Sequence, residues 1–347
     1  MPETRIRKLE RDQPAAWSDA LASSATFTAL DSWSTLVRQT YGYEVHRYEA
    51  VKDNDVTGIM AVTHVRHPVF GNYLATSPFG NYGGFVFTSA EARDILLQQA
   101  RRLTDELGAE YVVLRFVDDD STPPSPWLQN PIYSTYLMDL PVQADDLWAT
   151  FGSQHRKHTR QALRKGFQIQ FGHLELLEDV YEALARSMHE LGSPYHSKKY
   201  LRDMATLLGD DLEFVVLRDA DGKLAGSAVL IYQGETATNL HANILHDVRS
   251  DYAGDFLYWS MLEHYCQKGI KICDMGRSLN GSGNETFKMK WRPRKVPLAY
   301  WYYLPKGGLI PELNQKSAKF QLAIRAWKML PAFAVRMMGP SLIRGIV

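Results

Sequence analysis

The segment DMGRSLNGSGNETFKMKW, residues 274–291, gathers side chains that could do chemistry. An apolar run with Ile270, Ile272 and Cys273 delivers Asp274 to its end. Gly276, Gly281 and Gly283 allow backbone angles and close approaches that other residues resist. Arg277, Lys288 and Lys290 bring positive charge, and Phe287 and Trp291 bring flat apolar faces. A carboxylate ending a buried strand can act as a base, accept a substrate amine, or anchor its loop beside Arg277. Lys288 could place a cation where an oxyanion develops. The competing reading is a glycine-rich surface loop that only reverses the chain.

A second candidate is basic. Between Asp146 and Glu175 there is no carboxylate, yet FGSQHRKHTRQALRKGF carries His155, Arg156, Lys157, His158, Arg160, Arg164 and Lys165. On a helix, Arg156, Arg160 and Arg164 share one face, where like charges repel by a few tenths of a kcal/mol per pair. An anion removes that cost, and phosphate suits the guanidinium fork. The alternative is a solvated helix balanced by acids elsewhere, such as Asp118–Asp120. LGSPYHSKKY, residues 191–200, either presents Tyr195, His196 and Lys198 to a substrate or is a plain turn between helices. His241, in NLHANIL, reads more readily as a core histidine than as a site residue.

No phosphate-binding P-loop, nucleophile elbow or dinucleotide fingerprint occurs. HELGS at 189–193 fails as a zinc motif because Ser193 stands where the second histidine belongs. No metal site is expected.

These candidates need elements to carry them. The 347 residues are 45% hydrophobic and 22% charged, an ordinary globular composition with length for about two domains. Lys plus Arg equals Asp plus Glu at 39 each, so an anion site must be a local cluster. The two cysteines, Cys266 and Cys273, are too few for a disulfide framework. With no apolar leader and no run of 18 apolar residues, a soluble, cytoplasmic chain is expected.

In the first half, a helix over 31–40 precedes the hairpin-like runs YEVHRYEAV and GIMAVTHVRH. A helix over 89–107 closed by Gly108 then leads to the strand EYVVLRF. The second half repeats this order. Helices over 145–165 and 176–208 precede LEFVVLRD, LAGSAVLIY and ETATNLHANIL, then a helix over 254–268 ends at Gly269 before IKICDM. Helix, glycine stop and buried strand recur, which predicts two copies of one mixed α/β unit. The boundary is expected near residue 145, after the proline- and acid-rich segment 117–134.

At this point the chain resembles the FemAB-like acyltransferases, in the branch found with bacterial exopolysaccharide and PEP-CTERM systems. The resemblance is carried by SPFGNYGG (77–84), FGSQHRKHTRQALRKGF (151–167), LGSPYHSKKY (191–200), and above all DMGRSLNGSGNETFKMKW followed by PLAYWYYL (297–304). It implies tandem GNAT-like domains at 1–145 and 146–305 with a helical tail at 306–347. It also implies acyl transfer to an amine or hydroxyl. The best-understood members move an amino acid from aminoacyl-tRNA to a peptidoglycan precursor.

By position, Phe287-Lys288 matches the family's Phe-Lys segment, whose lysine stabilises the tetrahedral intermediate. Asp274 or a substrate group would take the proton. Arg156, Lys157, Arg160, Arg164, His196, Arg277, Phe287 and Trp291 are the expected substrate contacts. The loop RSDYAG (249–254) has Tyr252 where coenzyme-A-binding GNAT enzymes carry glycine, which favours aminoacyl-tRNA over acyl-CoA as the donor. Either donor is a co-substrate, and no cofactor is expected. The expected acceptor belongs to envelope or exopolysaccharide metabolism. An acyl-CoA-dependent N-acyltransferase and a non-catalytic binding protein of the polysaccharide machinery are the rival readings.

After Glu312 no acid remains, while Lys316, Lys319, Arg325, Lys328, Arg336 and Arg344 do. Phe320, Ala323, Ile324, Trp327 and Leu330 form a helical stripe with Gln321, Arg325 and Lys328 opposite. Such a segment either packs on the second domain or lies on an anionic membrane face, at roughly 1 kcal/mol per nearby cation.

Overall fold

Asp53 and Asn54 both adopt positive φ (51° and 73°) and join two strands in which Lys52 pairs with Asp55. Two such residues make the hairpin turn whose twist matches its strands, so the two runs join in the expected hairpin. The computed structural model describes residues 3–117, 122–311 and 318–346. The acids Asp118–Asp120 therefore lie outside the described residues.

The chain forms two units, divided between Tyr133 and Ser134, with 297–312 and 344–347 returning to the first and 313–343 belonging to the second. The first contains β1 (Arg5–Leu9), α1 (Asp19–Ser24), α2 (Asp31–Tyr41), β2 (Glu44–Lys52), β3 (Asp55–His67), β4 (Gly71–Thr76), β5 (Phe85–Phe87), α3 (Ala90–Glu106), β6 (Tyr111–Val117) and β7 (Leu128–Gln129). The second begins with β8 (Tyr133–Asp139), α4 (Ala144–Thr150), α5 (Ser153–Leu163), β9 (Gln168–Gly172), α6 (Leu177–Leu191) and α7 (Lys198–Leu208). It continues through β10 (Leu212–Arg218), β11 (Leu224–Gln233), β12 (Thr236–Ile244), α8 (Ala253–Gln267), β13 (Ile272–Asp274), β14 (Ser278–Leu279) and α9 (Gly283–Met289). β15 (Arg294–Tyr303) leads back to the first unit, and α10 (Ala318–Met329) and α11 (Ala332–Ile343) form the tail.

The expected repetition is present as topology. In the first unit β4, α3 and β6 make a crossover with Tyr73 opposite Tyr111 in a parallel pair. In the second, β12, α8 and β13 do the same with Thr236 opposite Ile272. Gly108 (φ 58°) and Gly269 (φ 74°) end the two crossover helices in the left-handed conformation that glycine tolerates. Tyr48, Leu74, Leu96 and Trp301 centre one core, and Tyr136, Leu230, Leu257 and Trp291 the other. The fold is thus mixed α/β, two GNAT-like units and a helical tail.

Several elements differ from the sequence reading. The helix expected over 145–165 breaks at Phe151–Gly152, because Phe151 turns into the core and Gly152 is extended (ψ 150°). The stretch over 176–208 is two helices, parted from Gly192 (φ 83°) to Ser197 as the reading of LGSPYHSKKY as a turn between helices expects. Strands β1, β9 and β15 are additions to the elements read from the sequence. The division precedes the expected residue 145 because β8 pairs antiparallel with β13 and seats Tyr136 in the second core. Residues 297–305, expected in the second domain, pair instead with β6.

The tail packs on the second unit. Trp327 is buried and donates Nε1–H to Ser193 O at 3.1 Å, and Arg336 grips Glu182 at 2.6 Å. A Cβ on Gly192 would stand 2.5 Å from Ile324 Cγ2, and one on Gly339 would stand 3.1 Å from Tyr195 O. LGSPYHSKKY is thus the seat of the tail. The side chains of Phe320 and Gln321 lie outside the described residues.

Candidate active site

The parallel pairing of β12 with β13 stops at Thr238 and Asp274. β12 continues to Ile244, and its register against β11 shifts so that Leu240 is an extra residue. Such a bulge bends its strand, and here β12 departs from β13. Residues 240–244 are only half-buried, which opens a cleft edge just where Asp274 ends.

Asp274 and Lys288 are both buried there, at 3% and 5% exposure. Asp274 Oδ1 accepts from Thr135 Oγ1 at 2.6 Å and from Gly276 N at 2.9 Å. Lys288 Nζ donates to Gly276 O at 2.7 Å and Arg277 O at 3.1 Å, and lies 5.3 Å from the Tyr136 ring centroid. Burial pulls the Lys288 pKa down to about 8, against the opposing pull of Asp274. An ammonium so placed is desolvated and held against the loop that follows Asp274.

Helix α9 delivers that lysine. Ser282 Oγ caps it by accepting from Glu285 N, and Glu285 reaches back to Gly281 N, a capping arrangement spelled by Ser-x-x-Glu. Phe287 is half-buried against Tyr258 at 5.0 Å and lies close to Gly254, where an added Cβ would meet its ring at 3.4 Å. Arg277 is half-buried beside the lysine. Trp291 is 1% exposed, edge-on to Phe151 and His155. It is therefore a core residue, and the substrate contact expected of it is not made through an exposed face.

The basic helix face is also divided. Arg156 Nη1 donates to Ala149 O and Arg292 Nη1 to Thr150 O, so arginines cap the carbonyl end of α4. Arg160 lies over the Trp148 ring at 5.4 Å, and Lys157 is exposed. Arg164 lines a cavity of about 400 Å³, together with Gln161, Lys165, Ser250 and Tyr252. Tyr252 adopts φ 59° at the start of α8, the backbone expected of a glycine, and His158 stacks on it at 4.5 Å. Lys165 pairs with Asp251 at 2.7 Å.

His196 is buried, stacked on Tyr200 at 4.1 Å, and burial drives its pKa well down. It is part of the core under the tail, since the chain break that seemed to present it is covered by α10 and α11. His241 is half-buried with its pKa pushed down to about 4 by burial. Thr135 and Tyr136 are the site residues that sequence reasoning missed. They come from β8, far upstream, and no local motif marks them.

The first unit's equivalent splay is filled by its own chain. Beyond Tyr73–Ala75, Thr76 Oγ1 accepts from Arg115 N, and the SPFGNYGG segment folds back with Gly83 N on Arg115 O and Gly84 N on Ser77 Oγ.

Residues 153–289 match the family model of an acetyltransferase (GNAT) domain. No curated protein matches the chain. Among solved structures, FemX is similar with a TM-score of 0.63 at 14% identity, covering 86% of this chain and 97% of FemX. A tandem GNAT protein from the clavulanic acid biosynthesis pathway gives 0.55 at 11% identity, covering 88% and 100%. The C-terminal domain of a putative lysylphosphatidylglycerol synthetase from Agrobacterium fabrum gives 0.53 at 16% identity, covering 88% and 93%. At these identities the structural likeness establishes the fold alone, one shared with FemX and with the tandem GNAT protein. The matched domain makes the chain an acyltransferase of the GNAT type, with its transferase domain in the second unit.

Proposed function

We propose that the second unit moves an aminoacyl group from aminoacyl-tRNA to an amine or hydroxyl of an envelope or exopolysaccharide precursor. The carrying observation is the Lys288 ammonium, 5% exposed at the strand splay and fixed by Gly276 O and Arg277 O. The acceptor attacks the donor carbonyl, a bond forms to that carbon, and its oxygen becomes anionic. An ammonium has three N–H groups, and the one not committed to the loop serves this oxygen. As the tetrahedral species collapses, the bond to the tRNA ribose oxygen breaks and the acceptor's proton ends on that oxygen. Asp274 already accepts two hydrogen bonds through Oδ1, so its part is to hold the loop, and a substrate group carries the proton.

Donor choice is supported by Tyr252. Its ring and the stacked His158 occupy the start of α8, where a pyrophosphate needs bare backbone amides. The adjacent cavity with Arg164 and Lys165 suits backbone phosphates of a longer polyanion. Acyl-CoA is the second reading, favoured by the left-handed backbone that Tyr252 retains. Single-turnover assays with aminoacyl-tRNA and with acetyl-CoA separate them: transfer from the first alone supports the proposal, and transfer from the second alone overturns it.

The tail supports an acceptor at a membrane face. The predicted stripe is spent on packing through Ile324 and Trp327, yet the outer face shows Leu322 (70% exposed), Met329 (85%), Phe333 (72%) and Met337 (72%). Arg325 and Lys328 are exposed among them. No described helix is long and apolar enough to cross a membrane. Such a surface lies on anionic lipid at the inner face of the cytoplasmic membrane. Co-sedimentation with phosphatidylglycerol vesicles should fall when Phe333 and Met337 become Asp, and equal partitioning of both proteins refutes the contact.

A further inference from the structure

Glu44 and His64 face each other directly across the β2–β3 hairpin, and His46 lies two residues along β2 on the same face as Glu44. One ligand atom from each lies within 4.8 Å of the others. The pattern Glu-x-His on one strand plus a histidine opposite is invisible to spacing rules for zinc, because the third member is 18 positions away and only strand register delivers it.

The surroundings prepare His64 for coordination. Asn72 Nδ2 donates to Gly108 O at 3.0 Å, at the carbonyl end of α3. That fixes its amide so that Oδ1, 2.7 Å from His64 Nε2, accepts. Nε2 of His64 therefore carries the proton, and Nδ1 is left with its lone pair. A ring nitrogen donating to an amide or carboxylate oxygen while the other stays basic is the arrangement found behind metal-bound histidines.

His46 complements it. Its Nε2 is buried with no hydrogen-bond partner and lies 3.8 Å from Glu44 Oε2. A buried ring nitrogen without a partner costs free energy that a bound cation removes. Glu44 is 72% exposed and free to rotate inward, as it must, since tetrahedral zinc separates its ligand atoms by about 3.3 Å.

We propose that Glu44, His46 and His64 form a binding site for a divalent first-row transition ion of the zinc type, pinning the ends of β2 and β3 in the first unit. Two imidazoles and one carboxylate suit borderline ions and disfavour magnesium or calcium, which want oxygen alone. The fourth position is left to water.

Full-length protein stripped with EDTA and dialysed should take up one equivalent of Zn²⁺, with a Kd tighter than about 100 µM by calorimetry. Glu44→Gln and His46→Gln should each weaken that binding at least about tenfold, whereas His173→Gln, at an exposed position, should not. Glu44 is exposed enough that its variant keeps the metal-free melting temperature, so the test survives if His46→Gln misfolds. Absence of binding tighter than that limit overturns the site, as does undiminished uptake by Glu44→Gln.

Discussion

Asp274 and Lys288 meet on one residue: the carboxylate accepts the N–H of Gly276 at 2.9 Å, and the ammonium donates to its carbonyl at 2.7 Å. Gly276 has φ 78°, a left-handed backbone that glycine adopts without a Cβ penalty. A buried opposite-charge pair attached to a single glycine fixes the loop that closes the cleft. Its desolvation is offset by hydrogen bonds on both ions.

Lys288 works protonated, so transfer should decline above about pH 8, where burial has placed its pKa. Folding lowers that pKa from 10.5, so this group adds stability as pH rises from about 8 toward 10.5. The alkaline loss of kcat/KM should then occur without a parallel fall in melting temperature from this ionisation. Lys288→Ala should reduce kcat by about 10²- to 10³-fold. Near-full turnover by that variant would refute the role.

Asp274→Asn keeps an acceptor for Thr135 and Gly276 but removes the charge that raises the Lys288 pKa. The alkaline limb of the pH–rate profile should move to lower pH. If Asp274 were the base, the acid limb would vanish as well and turnover would collapse.

Trp291→Ala should cost about 3–5 kcal/mol in urea unfolding, because a fully buried indole is removed from the second core. Trp291→Phe, assayed well below its melting temperature, should retain most activity. A selective rise in substrate KM with unchanged stability would contradict a core role.

Arg164→Glu should raise the donor KM and flatten its salt dependence, since this arginine lines the open cavity. Arg156→Gln should instead lower stability by about 1 kcal/mol, through loss of the bond to Ala149 O, and leave the KM alone. Equal effects on KM from both would restore the shared grip expected from their helical spacing.

Gly192→Ala should unseat the tail. The residue has φ 83°, and an added Cβ would stand 2.5 Å from Ile324 Cγ2. Protease cleavage between α10 and α11 should accelerate severalfold while the second core stays intact. An unchanged digestion rate would show that the tail tolerates the shift.

Much of the fold was legible because its signals are local. Asp53-Asn54, Gly108 and Gly269 each encode a backbone angle that few other residues accept. β15 was not legible as part of the first unit, since its aromatic run could pair with any strand and only register with β6 decides. The same limit applies to the site. The 274–291 motif announces Asp274, Gly276 and Lys288 together, but equal helical spacing of Arg156, Arg160 and Arg164 says nothing about α4, whose carbonyl end and Trp148 engage the first two.

By itself the chain's sequence determined two α/β crossovers, their glycine stops, and the charged loop that follows the second. Tertiary structure alone decided that β12 parts from β13 at Asp274, that Thr135 and Tyr136 complete the lysine's surroundings, and that His196 and Trp291 are core. The reason is range: turn and cap preferences act over a few residues, whereas burial and strand pairing join positions more than a hundred apart, as Thr135 and Asp274 are.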